Sequence, residues 1–80
     1  MLTQKTIHDA AVRPASAASS SATVILFGSY ARGDADEGSD LDLLVIEQEL
    51  TDKTEEYLRL HRAIGSIGTG VDIVVMSADE

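Results

Sequence analysis

Three aspartates interrupt stretches that are otherwise oily. Asp40 and Asp42 sit in "SDLDLLVIE", residues 39–47, and Asp72 sits in "VDIVVM", residues 71–76. An ionised carboxylate loses hydration in an apolar setting, so each calls for a compensating partner. Side chains alternate along a strand, which puts Asp40 and Asp42 on one face, with Cα atoms about 6.5–7 Å apart at roughly 3.3 Å per residue. Asp72 lies between Val71 and Ile73 and faces away from both. If the two strands are neighbours, Asp72 joins the pair. Three carboxylates on one face raise one another's pKa unless a divalent cation neutralises them. Mg²⁺ takes oxygen ligands, keeps waters and bridges to phosphates. Two such ions about 3.5–4 Å apart polarise an attacked phosphorus and steady the leaving group.

Ten residues separate Asp40 from Gly28-Ser29, where the apolar run "TVILF" at 23–27 stops. A strand that turns at Gly into a helical segment presents backbone N–H groups, which suit a phosphate oxygen together with the Ser hydroxyl. Gly also lets the backbone come close to a ligand. Arg32, one turn on, is placed either to contact a triphosphate or to face solvent. Gly33 serves a turn.

These residues need elements to hold them. Residues 3–12 read as a helix with a weak stripe of Ile7, Ala11 and Val12, a capping-box variant from Thr6 and Asp9, and a stop at Pro14. "ASAASSSA", 15–22, reads as mostly loop. "TVILF" reads as a buried strand, "YARG" as a short helical turn and "DADEGSD" as loop. Residues 41–47 form the second strand. Asp52 caps a helix over roughly 53–66, with Glu55 at the capping-box offset and Tyr57, Leu60, Ile64 and Ile67 on one face. Gly65, Gly68 and Gly70 mark its end and the turn beyond, and 71–76 form the third strand. The expected organisation is one α/β (α+β) domain: an N-terminal helix (1–14), a connector (15–22) and a catalytic core (23–76). The last four residues, "SADE", carry another helix-opening signature. The expectation is therefore a chain cut short at its C-terminus, leaving the third strand without its cover.

Composition narrows the partners. Eighty residues allow one domain with a modest core. No cysteine is present, which fits a reducing compartment. The apolar runs are far shorter than the roughly 20 residues of a membrane span, and no secretory leader pattern opens the chain. A cytoplasmic protein without membrane contact is expected. The formal charge is −8, with only six Lys and Arg. Direct nucleic-acid binding is not expected, because it needs cations against phosphates. The acidity suits solubility, divalent cations or a basic protein partner.

The stretch "GSYARGDADEGSDLDLLV" resembles the Gly-Ser, ten residues, Asp-x-Asp signature of the minimal nucleotidyltransferases of the DNA polymerase β-like superfamily, and "VDIVV" supplies their third Asp. The resemblance runs from about Val24 to Met76. It implies a mixed β-sheet flanked by helices, and transfer of an NMP from ATP or another NTP to a hydroxyl with Mg²⁺, two ions in all. By carry-over, Asp40 and Asp42 bind both metals, Asp72 completes the metal site and helps activate the acceptor, and Gly28 and Ser29, with Arg32 beside them, hold the triphosphate. Small stand-alone members of the family are often paired with a HEPN-type toxin, which they neutralise, in some cases by adenylylating it. The alternatives are a non-catalytic antitoxin of the same fold that blocks a basic partner by contact, and an inactive remnant. An exposed sheet edge also leaves room for self-association.

The remaining candidates read plainly. His8 and His61 lie on helices with no second ligand at metal spacing and belong to the surface. Tyr57 is a core or groove residue. Asp34, Asp36 and Glu37 lack the rest of a calcium loop and form a solvated loop.

Overall fold

The computed structural model describes residues 2–80. Helix α1 (Gln4–Ala17) leads into strand β1 (Ala22–Phe27), and a single turn, α2 (Ser29–Arg32), follows. Then come β2 (Leu41–Glu47), helix α3 (Lys53–Ile64) and β3 (Val71–Ser77). The three strands make one mixed sheet in the order β1-β2-β3. β1 runs antiparallel to β2, and β3 runs parallel to it. The parallel pair needs a crossover, which α3 supplies.

β2 is central and alternates strictly. Leu41, Leu43, Val45 and Glu47 are buried, while Asp42, Leu44 and Ile46 are half-buried. Ile73 and Val75 of β3 share the inner side. α1 and α3 pack against it and against each other, bringing Ala10, Leu60 and Ile64 into the core. The opposite sheet face carries Thr23, Ile25 and Phe27, then Asp42, Leu44 and Ile46, then Asp72, Val74 and Met76, in register rows. Ile25, Phe27 and Val74 are exposed there. β1 is thus not buried on both sides as its apolar run suggests. Ala22, Val24 and Leu26 turn inward to the core.

α1 corrects three expectations. Pro14 does not end it; the helix continues to Ala17, and the Pro14 carbonyl accepts from Ala18 N at 2.9 Å. A proline inside a helix forfeits one backbone hydrogen bond. Here the Pro14 ring is buried, and Ala15 and Ala17 are good helix formers. Packing therefore outweighs the breaker, and the connector shrinks to 18–21. The cap is Thr3, whose Oγ1 accepts from Thr6 N at 3.1 Å, rather than a Thr6–Asp9 box. The inward stripe is Ile7, Ala10 and Pro14, and Val12 faces solvent.

α3 begins as its cap predicts, with Asp52 Oδ1 accepting from Glu55 N at 3.0 Å, and stops at Gly65, where φ is 68°. Its buried stripe is Glu56, Leu60 and Ile64, not one starting at Tyr57, which is exposed. Ile67 packs on the core from the loop beyond. Residues 77–80 form a turn in which Ser77 N donates to Glu80 Oε1 at 3.1 Å, half of the capping box read from "SADE". Among the described residues no helix is long and apolar enough to cross a membrane.

Candidate functional site

β1 ends where β2 and β3 begin, so one end of the sheet collects three chain segments. Phe27 is the register partner of Asp42, and Asp42 is the partner of Asp72. Neighbouring strands lie about 4.8 Å apart, so two carboxylates on the same face meet. They stand within hydrogen-bond reach of one another, and the Asp42 carboxyl is pushed above the usual aspartate value of 3.8. Partial burial is the main cause, followed by the Asp72 charge and its hydrogen bond; Asp40 adds to the rise, and Arg32 opposes it. Asp42 lies on the face that the helices leave open, while its neighbours Leu41 and Leu43 enter the core.

Gly28 is the hinge of this corner. Its φ of 76° and ψ of −155° fall in a region that is essentially restricted to glycine. Space makes the same demand, because a Cβ on Gly28 would overlap Asp42 Oδ2. The chain then turns into α2: Arg32 N donates to Gly28 O at 3.0 Å, and Asp34 N donates to Ser29 O at 3.1 Å. Ser29 opens this turn and is half-buried. Tyr30 anchors it, its hydroxyl accepting from Leu2 N at 3.1 Å. Arg32 is exposed, and its Nε pairs with Asp34 Oδ2 at 3.2 Å.

Asp40 precedes β2 rather than lying inside it, and it is exposed. Its carboxylate rests against Gly70, the residue before β3. Among the described residues no group of three His, Asp or Glu side chains is already drawn in at metal-ligand spacing. Asp42 and Asp72 are paired, and Asp40 acts on Asp42 through its charge. The donor set nonetheless fits a hard divalent cation, being all carboxylate oxygens. Two glycines cradle these acids at points where a Cβ would collide with them.

His8 and His61 are exposed on α1 and α3, as read from the sequence. The acidic loop is exposed but ordered by its own turn: Asp36 Oδ1 accepts from Gly38 N at 2.9 Å, and Asp36 N donates to Ser39 Oγ at 3.0 Å. The sequence reading missed the role of Tyr30 and the packing of Gly70 on Asp40. It also missed the buried acids Glu47 and Glu56 at the other end of β2. Glu47 was concealed within an apolar run, and Glu56 sits one residue from the assumed stripe.

The nucleotidyltransferase domain family matches residues 12–80, and the chain belongs to that family. The match spans β1, Gly28-Ser29, the Asp40/Asp42 segment and β3 with Asp72. The chain is also similar to a Methanocaldococcus jannaschii protein named a "putative protein adenylyltransferase", with 67% identity over 27 residues. That segment is 34% of this chain and 27% of the relative's length. No solved structure matches.

Proposed function

We propose that this chain is a Mg²⁺-dependent nucleotidyltransferase that moves AMP from ATP onto a hydroxyl of a partner protein, a HEPN-type toxin being the expected acceptor. The observation that carries this reading is the Asp42–Asp72 pair, set opposite each other in register beside the Gly28 bend. The facing charge of Asp72 disfavours the ionisation of Asp42, and a structural role would not require the pair. Membership of the nucleotidyltransferase family supports the reaction class. The short stretch shared with a protein named as an adenylyltransferase favours AMP and a protein acceptor.

Asp40, Asp42 and Asp72 would hold the metal. Bound there, Mg²⁺ supplies positive charge for the phosphate oxygens and lowers the pKa of the acceptor hydroxyl. Gly28 lets the backbone approach the triphosphate, and its neighbour Ser29 offers an N–H and a hydroxyl to it. Arg32 adds positive charge beside Asp42. Asp72, the more exposed of the facing pair, accepts the proton of the incoming hydroxyl. The acceptor oxygen bonds to the α-phosphorus, the bond to the β-phosphate oxygen breaks, and pyrophosphate departs.

The test is incubation with α-labelled ATP, Mg²⁺ and a lysate or candidate partner. A labelled protein band that disappears with Asp42→Asn is the expected result. A partner neutralised equally by the parent and by Asp42→Asn, with no label on either, would replace catalysis with blockade by contact.

A further inference from the structure

Asp40 is the least anchored of the three acids by its own element, since it lies outside β2 and is exposed. Its backbone is held from elsewhere. Thr69 Oγ1 donates to Ser39 O at 2.9 Å, and Leu41 N donates to Gly70 O at 2.9 Å. The residues on both sides of Asp40 are thus tied to the same dipeptide. Its side chain is set there too. A Cβ on Gly70 would stand 2.6 Å from Asp40 Oδ1 and 3.0 Å from Cγ, closer than non-bonded atoms come.

Gly70 differs from the other turn glycines. Gly28, Gly33, Gly65 and Gly68 have positive φ, and Gly70 does not; Gly38 shares that freedom, but a Cβ there would meet its nearest neighbour, Asp36 Oδ1, at an ordinary 3.5 Å. The Gly70 backbone therefore tolerates an L-side chain, and glycine is required at this position for space alone. The neighbour that must give way is an exposed side chain, free to rotate toward solvent. Alanine at 70 would turn the Asp40 carboxylate away while leaving the sheet intact.

We infer that Thr69-Gly70 is a positioning element that seats the backbone of Asp40 and keeps open the carboxylate orientation suited to a divalent cation, acting from the same turn that delivers Asp72 into β3. This rests on the reading of Asp40 as a metal ligand. The hydroxyl of Thr69 places the Asp40 backbone, and the bare Cα of Gly70 leaves room for the carboxylate to lie against the turn. Neither residue touches the reacting atoms.

Three variants test it: Gly70→Ala, Thr69→Val and Thr69→Ser. Mn²⁺ binding is read by water-proton relaxation without nucleotide, the metal-free melting midpoint is recorded, and the Asp40 χ1 angle is taken from NMR couplings. Gly70→Ala is expected to melt no lower than the parent, since alanine restricts the unfolded chain. It should bind Mn²⁺ about tenfold more weakly, the low end for loss of an outer-shell partner, with a changed Asp40 χ1. Thr69→Val should weaken binding, and Thr69→Ser should restore it. An unchanged χ1 in Gly70→Ala, parent-like Mn²⁺ affinity, or weaker binding that merely follows a lower melting midpoint would each overturn the proposal. A parent that binds no Mn²⁺, with a χ1 that still changes in Gly70→Ala, would uphold the orienting contact and refute the metal role of Asp40.

Discussion

Two pairs of carboxyl groups define the chemistry of single residues in this protein, one at each end of β2. At the open end, the carboxyl of Asp42 is held above its ordinary value, so its contribution to stability is fully present below pH 3.8 and is lost as pH rises through the raised value. At neutral pH without a cation, the pair therefore works against folding. Asp42→Asn should raise the metal-free melting midpoint by about 2–4 °C, the equivalent of roughly 0.5 kcal/mol in a domain this size, while abolishing nucleotide transfer. Calorimetry beside the labelling assay checks both halves. At the closed end, Glu47 and Glu56 are buried within hydrogen-bond reach of each other. Glu56 Oε2 accepts from Ser19 N at 2.8 Å, and Glu47 Oε1 accepts from Ser20 Oγ at 3.2 Å. Among the described residues Glu47 Oε2 has no hydrogen-bond partner. Burial and the neighbouring Glu56 push the Glu47 carboxyl up; bonds from Glu47 and Ser19 pull the Glu56 carboxyl down against its own burial. Glu56 loses its contribution to stability as pH falls below 4.5, and Glu47 loses its own as pH rises above 4.5. The pair stabilises most near that value. Glu47→Gln keeps a donor at every pH, so it should flatten the alkaline decline and be more stable than the parent at pH 8. Urea titrations at pH 4.5 and pH 8 measure the difference.

The elements were legible where local signals and packing agree. All three strands are β-branched and apolar, and α3 is announced by Asp52 and closed by Gly65. Asp52→Ala should cost about 1 kcal/mol, or roughly 4–8 °C of melting midpoint, as the loss of an N-cap does. Calorimetry checks it with transfer unaffected, because Asp52 stands at the end of the crossover away from Asp42. Legibility failed where burial decides. Pro14 is a breaker by local rule, yet its buried ring sits on the core. The two faces of "LDLLVIE" each carry apolar residues and one acid, so pattern alone does not choose the inner one. The helices choose it, by covering Leu41, Leu43 and Val45. The three aspartates were readable by type and spacing. The contact between Asp40 and Gly70 was not, because a glycine kept for space looks the same as one kept for a turn.

At the scale of the whole molecule, the asymmetry of the sheet matters most. Helices cover one face; the other presents Ile25, Phe27 and Val74 beside the carboxylates. The net charge of −8 adds self-repulsion. NaCl screens that repulsion generally, whereas a divalent cation at the carboxylates acts on one locus. Millimolar Mg²⁺ should therefore raise the melting midpoint more than NaCl of equal ionic strength, and Asp42→Asn should erase the difference. Melting curves in the two salts decide it. The bend at Gly28 has one more consequence. Its φ of 76° and ψ of −155° are the mirror image of polyproline geometry, the comfortable basin of a residue of opposite handedness. The methyl of L-alanine would strike Asp42, but that of D-alanine projects from the other side of Cα. A chain assembled chemically with D-alanine at 28 should fold where its L counterpart is strained, so here the protein discriminates by chirality rather than by size.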